Sequence, residues 1–267
     1  MPKRADVLLV EQGLCQSRER AKALIMEGAV YFGEVKVTKA SDTFADDAKL
    51  FLREDPIPFV SRGGLKLKKA VEKYGIPLEN AVCLDVGAST GGFTDCMLQN
   101  GARLVYAVDV GYGQLDWKLR NDPRVVCMER HNARLMAPDW FEHTPDFASC
   151  DVSFISIRLI LPRMFECLSE TGSAVVLVKP QFEAGRNKIG KNGVVRDENT
   201  HREVLVSAAN FAVECGFGIL ALDYSPITGP KGNIEYLMYL KKADADGIAD
   251  IEQAANTVVS LSHKELS

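Results

Sequence analysis

The stretch from Val82 to Phe93 most constrains the fold, because an apolar run leads into a glycine-rich turn and then into a helix-like segment. Asp85 lies where the predicted strand ends, and Gly87 and Gly91 follow in the turn. Because glycine has no Cβ, its backbone can approach a ligand more closely than that of any other residue. The spacing D-x-G-x-x-x-G-G differs from the G-x-G-x-x-G of dinucleotide sites. It predicts a strand, a loop and a helix with a ligand at the carboxyl end of the strand.

The next predicted strand, 104–108, ends in a second carboxylate, Asp109. A carboxylate at that position is suited to accept hydrogen bonds from both hydroxyls of a ribose. Asp85 adds negative charge, which suits an adenosine ligand with a cationic tail. The two residues together indicate S-adenosylmethionine as cofactor. An α/β domain with an ordinary glycine-rich turn is the alternative that this stretch leaves open.

Composition excludes several classes of protein. The chain has 267 residues, enough for one large domain or two, and a formal net charge of −4, so nucleic-acid binding would need local basic patches. Seven cysteines without a C-x-x-C pair argue for a reducing compartment, and the four dispersed histidines indicate no metal site. Apolar runs of about five residues fall far short of the roughly 20 that span a membrane. We expect a cytoplasmic protein.

From Val82 onward, strand-like and helix-like segments alternate, which predicts a doubly wound, Rossmann-like α/β sheet. Residues 181–199 are polar and glycine-rich, as in a functional or disordered loop. The tail 246–267 is predicted to be helical. The predicted strands are 82–85, 104–108, 125–128, 147–150, 174–178, 219–224 and 235–240, and the predicted helices are 65–74, 93–100, 157–168 and 203–215.

Residues 1–58 have a different pattern and predict a small α+β domain. A helix is expected over 5–11, a second over 18–27 after the N-cap Ser17, and a hairpin formed by 30–32 and 35–37. Prolines in 55–58 indicate a linker, and residues 59–64 are expected to continue it before a domain of residues 65–245. The basic side chains of this module could simply form a solvated helix face, and charge alone favours that interpretation.

The segment from Ser17 to Val30, S-R-E-R-A-K-A-L-I-M-E-G-A-V, resembles the S4 domain, the RNA-binding module named after the fourth small-subunit ribosomal protein. The resemblance covers roughly the first 60 residues. It implies that this domain binds RNA backbone. The basic residues assigned to RNA binding are Arg4, Arg18, Arg20, Lys22 and Arg62.

Four charged residues are expected to meet at one edge of the sheet. Asp151 and Lys179 each follow a predicted parallel strand, and Glu235 begins a strand that would be antiparallel if it forms a hairpin with the strand before it. Lys66 lies near the start of the helix that leads back along the first strand. Several such groups beside a ligand cleft are typical of a functional site. An ion-pair network with a structural role is the alternative.

The order Lys66, Asp151, Lys179, Glu235 resembles the K-D-K-E tetrad of FtsJ-like RNA ribose 2′-O-methyltransferases. With the S4-type domain, the chain is similar to the TlyA family over nearly all of its length. Those ribosomal RNA methyltransferases modify cytidines and were historically labelled hemolysins. The segments that carry the resemblance are S-R-G-G (61–64), the 85–93 loop, C-D-V-S-F-I-S (150–156), V-K-P-Q-F-E (178–183) and G-N-I-E-Y (232–236).

The resemblance implies the roles of the site residues. Lys179 would take the proton of the ribose hydroxyl or stabilise the alkoxide, Lys66 could hold the target phosphate, and Asp151 and Glu235 would orient the two lysines. Asn132 would approach the adenine of the cofactor. The residues assigned to the cofactor are Asp85, Gly87, Ser89, Gly91, Gly92, Phe93, Asp109 and Asn132.

The residues after Asp151 bear on which atom is methylated. The segment Asp151-Val152-Ser153-Phe154 lacks the cysteine nucleophile of carbon methyltransferases and the Asn-Pro-Pro-aromatic clamp of amino-group methyltransferases. Phe154 could stack on a base, but Asp151 with Lys179 fits activation of a hydroxyl better. We therefore expect a ribose 2′-hydroxyl as the acceptor.

The sequence leaves three other functions open. One is an RNA-binding protein with a catalytically silent methyltransferase fold, which the intact tetrad disfavours. Another is a membrane-lytic protein, as the old label implies, and the third is a small-molecule methyltransferase, which the N-terminal domain disfavours. The target nucleotide, the ribosomal subunit and the oligomeric state do not follow from the sequence.

Overall fold

The computed structural model describes residues 2–26, 28–33, 35–52, 58–190, 193–229, 231–242 and 247–266. The chain divides into two compact units, 1–58 and 59–267. Residues 59–64, expected as a linker, and the tail 246–267 fall within the second unit. Of the expected proline-rich linker, residues 55–57 lie outside the described residues, as do Glu27 at the expected helix end and Glu34 in the expected hairpin turn.

The first unit packs two helices on short strands around a core that includes Leu8, Leu9 and Leu24. The expected hairpin forms, since β2 pairs antiparallel with β3, and β5 pairs with the other edge of β2. Three strands here are missing from the prediction, because strands of two or three residues are too short to show alternation. The described elements are β1 (Lys3–Arg4), α1 (Ala5–Glu11), α2 (Arg18–Met26), β2 (Val30–Phe32), β3 (Val35–Lys36), β4 (Thr43–Phe44) and β5 (Leu50–Leu52).

The second unit alternates strands and helices, as the pattern predicts. Its strands are β6 (Val82–Val86), β7 (Leu104–Val108), β8 (Val125–Met128), β9 (Phe147–Cys150), β10 (Ser173–Val178), β11 (Gly218–Tyr224) and β12 (Tyr236–Lys241). Its α-helices are α3 (Gly64–Tyr74), α4 (Gly92–Gln99), α5 (Trp117–Arg120), α6 (Leu161–Cys167), α7 (Pro180–Glu183), α8 (Glu198–Glu214) and α9 (Ile251–Leu266).

The seven described strands of this unit form one sheet in the order β11-β12-β10-β9-β6-β7-β8. The strands β6 to β10 are parallel, and β12 is antiparallel to both of its neighbours. The chain moves outward from β6 through β7 to β8 and then returns to β9 on the other side of β6. The gap between the carboxyl ends of β6 and β9 is therefore the topological switch point, where sheets of this class bind ligands. The predicted Rossmann-like fold is confirmed.

Three predicted elements differ from the structure. The predicted helix 157–168 is a 3₁₀ turn over Ile157–Leu159 followed by α6, whose second residue is a proline that lacks an N–H donor. Helix α8 begins at Glu198 rather than 203, since the Asp197 side chain accepts a hydrogen bond from the backbone N–H of Thr200. The predicted loop 181–199 contains most of α7 and a 3₁₀ turn, Arg186–Lys188.

The C-terminal helix α9 is joined to the sheet by a buried polar cluster. His201 of α8 is fully buried; its Nε2 lies 3.1 Å from the carbonyl oxygen of Val195, and its Nδ1 lies 2.8 Å from the Tyr236 hydroxyl and 2.9 Å from Nε2 of His263. A carbonyl oxygen only accepts, so Nε2 of His201 carries the proton and Nδ1 accepts. Burial, reinforced by the nearby charge of His263, lowers the pKa of His201 to about 4.

Candidate active site

The four charged residues of the predicted tetrad lie together at the carboxyl edge of the sheet. Asp151 directly follows β9, Lys179 follows β10, and Glu235 directly precedes β12, whose first residue pairs with Val178. Lys66 lies in the first turn of α3. The antiparallel β12 is what brings Glu235 to this edge, as the hairpin prediction requires.

The tetrad forms one continuous ionic chain. Nζ of Lys66 is 2.7 Å from Oε2 of Glu235 and 3.2 Å from Oδ2 of Asp151, and Nζ of Lys179 is 2.5 Å from Oδ1 of Asp151. Asp151 therefore bridges both lysines. Its side chain is the most exposed of the four at 19%, while that of Glu235 is 2% exposed.

The charges within the tetrad determine the protonation states of Lys66 and Asp151. Burial opposes the charged form of Lys66, but Asp151 and Glu235 outweigh burial and raise the pKa of Lys66. Burial likewise opposes ionisation of Asp151, but the charges of Lys66 and Lys179 lower the pKa of Asp151 below its usual value. Lys66 is thus held as a cation and Asp151 as an anion at neutral pH.

The helix that carries Lys66 is fixed to the far edge of the sheet. Lys69 and Lys73 of α3 each donate a hydrogen bond of 2.9 Å to the buried carboxylate of Asp223 in β11. Lys69 and Lys73 follow Lys66 by three and seven residues and so lie on nearly the same face of the helix. Their contacts with Asp223 therefore also orient Lys66. Sequence reasoning missed Asp223, whose signal is a lone carboxylate within an apolar strand.

The glycine loop after β6 closes tightly on its neighbours. Gly87 has φ +83°, and a Cβ there would lie 2.9 Å from the carbonyl oxygen of Asp151. Gly91 has φ +95°, and a Cβ there would lie 2.3 Å from Leu119. Both positions therefore exclude a side chain for reasons of backbone conformation and protein packing. The close approach to a ligand predicted for them stays a prediction.

Asp85 lies inside β6 and is fully buried. Its Oδ2 accepts a hydrogen bond from Thr94 Oγ1 (2.7 Å) and its Oδ1 accepts one from Ser149 Oγ (3.1 Å). Burial raises the pKa of Asp85 to about 6, against these hydrogen bonds. Asp85 thus ties α4 and β9 to β6 beneath the loop, a role that the sequence prediction of a cofactor contact did not include.

Two cavities flank the switch point and share a wall. The larger, of about 590 Å³, is lined by the whole tetrad together with Arg62, Gly92 and Phe93, and is named here the acceptor cavity. The second, of about 490 Å³, is lined by Asp109 and Asn132 and is named the nucleoside cavity. The residues that line both are Gly87, Ser89, Asp151, Ser153 and Phe154.

Asp109 directly follows β7 and organises the nucleoside cavity. Its two carboxylate oxygens accept backbone N–H bonds from Ser89 (2.8 Å) and Gly111 (2.7 Å). A carboxylate accepts about four hydrogen bonds, so about two positions are left for a ligand. Asn132, just beyond β8, uses its side-chain oxygen to accept from the N–H of Arg134. The structure thus brings Asp109 and Asn132 into one cavity.

An aromatic pair lies on the wall near Lys179. Phe154 is 87% exposed at φ +66°, and its ring centroid lies 5.2 Å from that of Phe182. Glu183 joins helix α7, which carries Phe182, to the segment that carries Phe154, because its carboxylate accepts from Ser156 Oγ (2.7 Å) and from the N–H of Ile157 (2.8 Å). Sequence reasoning missed Phe182 and Glu183, although both follow Lys179 within the V-K-P-Q-F-E segment.

In the first unit, two of the four residues predicted to contact RNA, Arg4 and Arg18, pair with one buried acid. Asp6 is fully buried and accepts hydrogen bonds from the guanidinium groups of Arg4 (2.9 Å) and Arg18 (2.8 Å), which lower the pKa of Asp6 to about 2 against its burial. Both arginine side chains remain about half exposed, at 45% and 52%. Lys22 is exposed and Arg20 is half-buried.

Comparison with known proteins decides the family. The model of the FtsJ-like methyltransferase family matches residues 59–242. The chain belongs to the FtsJ-like methyltransferase family. The S4 domain model matches residues 3–46, so this member also carries an S4 domain.

Relatives of this FtsJ-like chain match it over almost their full length. The 16S/23S rRNA (cytidine-2′-O)-methyltransferase TlyA of Mycobacterium tuberculosis is 42% identical, with 89% of each chain covered. The YqxC protein of Bacillus subtilis is 48% identical over 98% of this chain and 95% of that protein. A solved structure from Streptococcus thermophilus, provisionally named a hemolysin, is 49% identical, covers 99% of this chain and 96% of that chain, and has a TM-score of 0.79.

No helix in the described ranges is long and apolar enough to cross a membrane. The same ranges contain no cluster of three or more acidic, histidine or cysteine side chains placed to hold a metal ion.

Proposed function

We propose that this chain transfers the methyl group of S-adenosylmethionine to a ribose 2′-hydroxyl of ribosomal RNA, with cytidine as the modified nucleoside. The observation that carries the proposal is the ionic chain of Lys66, Asp151, Lys179 and Glu235 in the wall of the acceptor cavity. Such groups suit activation of a hydroxyl, and the curated TlyA relative is named for this reaction.

The nucleoside cavity suits the adenosine part of the cofactor. Asp109 retains acceptor capacity for two ribose hydroxyls, and Asn132 offers an amide for the adenine edge. Gly87 and Ser89 line both cavities, so a cofactor held by Asp109 can extend past them toward Asp151. When bound, S-adenosylmethionine supplies an electrophilic methyl group on a positively charged sulfur.

The residues of the acceptor cavity perform the remaining tasks. Lys179 takes the proton of the 2′-hydroxyl or stabilises the oxygen as negative charge develops. Lys66 remains a cation and attracts the phosphate beside the target ribose. Asp151 and Glu235 orient the side-chain nitrogens of the two lysines through the contacts described above. Much of the rate would come from holding the oxygen in line with the methyl group.

Further residues bring RNA to this cavity. Arg62 lines the acceptor cavity, and Phe154 with Phe182 offers an aromatic surface for a base that leaves its stack. The S4 domain, with its exposed Arg4 and Arg18, adds contacts to RNA backbone. A ribosomal substrate implies a cytoplasmic enzyme.

The decisive experiment uses purified protein, labelled S-adenosylmethionine and isolated ribosomal subunits. The label is expected in a nucleoside whose methyl stays with the sugar after the base is released. A substrate with a 2′-deoxynucleotide at the target position should accept no label. A methyl group found on the base, or undiminished transfer to the deoxy substrate, contradicts the proposal. Absence of transfer to either ribosomal subunit favours the RNA-binding alternative.

A further inference from the structure

Ser153 is a side chain of the wall between the two cavities that the tetrad does not include. Its hydroxyl oxygen lies 3.0 Å from Nζ of Lys179 and accepts a hydrogen bond from it. Ser153 is exposed and lines both cavities. Lys179 itself is 7% exposed, so this contact lies at the point where a buried amine meets the open wall.

The geometry of an amine nitrogen gives this contact a specific consequence. Besides its bond to Cε, Nζ of Lys179 has three tetrahedral positions, and among the described residues Asp151 and Ser153 occupy two of them. A neutral amine has two N–H bonds and one lone pair. If the N–H bonds point to Asp151 and Ser153, the lone pair takes the third position, and Lys179 lines the acceptor cavity.

We infer that Ser153 is a positioning residue for Lys179: its hydroxyl holds one N–H so that the lone pair of the neutral amine meets the ribose hydroxyl. The inference rests on the proposed function, because it assumes that Lys179 accepts the proton of that hydroxyl. Without Ser153, the amine can rotate an N–H toward the substrate oxygen, which leaves no lone pair for the proton. The same hydroxyl stabilises the ammonium ion after the proton has moved to Nζ.

Ser153→Ala tests this role in the full-length protein with ribosomal subunits. The single-turnover rate of methyl transfer should fall roughly tenfold or more, as expected for the loss of one hydrogen bond that stabilises the ammonium ion as it forms. The Kd for S-adenosylmethionine and the KM for the ribosomal subunit should stay within about twofold of wild type. Neither cofactor binding nor subunit binding depends on the orientation of the Lys179 amine. Ser153→Thr, which keeps the hydroxyl, should restore most of the rate.

The pH profile separates positioning of the amine from a general effect on the loop. Ser153→Ala removes an acceptor that favours the ammonium form, so the acid limb of the rate profile should move to lower pH. Ser156→Ala is the matched control: its hydroxyl lies in the same loop but donates to Glu183 and not to Lys179. Its acid limb should coincide with that of wild type.

The outcomes distinguish this inference from the proposed function. If wild-type protein forms no 2′-O-methyl nucleoside, the proposed function fails and the inference with it. If wild type is active and Ser153→Ala matches its rate and its acid limb, only the inference fails. A lower rate that Ser153→Thr does not restore, or one explained by weaker cofactor binding, also overturns the positioning role.

Discussion

Replacing Lys66 by Met should destabilise the second unit by about 3 kcal/mol, because it leaves a buried carboxylate without its cation. Glu235 is 2% exposed and loses its 2.7 Å ion pair, retaining among the described residues only the 3.2 Å hydrogen bond from Gln181. Methionine has nearly the length of lysine, so packing changes little. Asp151 is less affected, since Lys179 still pairs with it.

The magnitude depends on which partner is removed. Breaking a buried pair costs about 3–5 kcal/mol, and the bond from Gln181 places this variant near the lower limit. Glu235→Gln should cost only about 1–2 kcal/mol, because Lys66 keeps Asp151 at 3.2 Å. The double variant carries no unpaired carboxylate, so it should be more stable than Lys66→Met alone. The coupling free energy should be about 2 kcal/mol.

Urea unfolding at pH 7.5 followed by tryptophan fluorescence measures this coupling in the relevant unit. Both tryptophans, Trp117 and Trp140, lie in residues 59–267, so the signal reports that unit. All four proteins of the cycle are compared under identical conditions. The reasoning is refuted if Lys66→Met unfolds within about 0.5 kcal/mol of wild type, or if the two single effects simply add.

Four further predictions use other parts of the molecule. Asp109→Ala should weaken S-adenosylmethionine binding by tenfold or more in calorimetric titration while circular dichroism stays unchanged; equal affinity would remove the ribose assignment. Lys179→Ala should abolish methyl transfer with cofactor binding largely kept, and Lys179→Arg should fail too, because a guanidinium does not lose its proton; substantial activity in either variant contradicts the assignment. Deleting residues 1–58 should lower methyl transfer to ribosomal RNA. Only the full-length chain should lose RNA affinity steeply as the salt concentration rises. If the truncated and full-length proteins transfer methyl groups equally well, the domain has another role. The pKa of His201 is lowered from 6.5 to about 4, so below pH 6.5 the unfolded chain binds a proton that the folded chain does not. About 3 kcal/mol of stability should therefore be present above pH 6.5 and lost as the pH falls toward 4. In urea unfolding, the stability of His201→Gln should fall less steeply with decreasing pH, and an unchanged dependence on pH would contradict the buried neutral ring.

The sequence by itself determined the class of the sheet and the edge at which the tetrad lies. Strand and helix periods come from local backbone geometry, so the alternation from Val82 onward predicted the parallel strands. The carboxyl ends of parallel strands meet at one edge, and this rule predicts that Asp151 and Lys179 lie at the same edge. That they lie side by side depends on the pairing of β9 with β10. The hairpin assumption placed Glu235 at the same edge. These predictions needed only the chain order and the polarity of each segment.

Local signals failed where a boundary or a strand depends on a few contacts. The start of α8 depends on one side-chain cap from Asp197, and that signal was missed. Strand β4, two residues long, forms because it pairs with β1, and pairing with a distant partner leaves no periodic pattern in the sequence.

Only the tertiary structure decided how the site is divided and supported. Asp85 was predicted as a ligand contact and lines the acceptor cavity, and the structure adds that its buried carboxylate is bonded to Thr94 and Ser149. Ser153 contacts Lys179 because the segment after β9 lies beside the end of β10. The tail carried no motif, yet His263 closes a buried cluster with His201. Such contacts join residues far apart in the chain, and their existence depends on three-dimensional packing that no local pattern encodes.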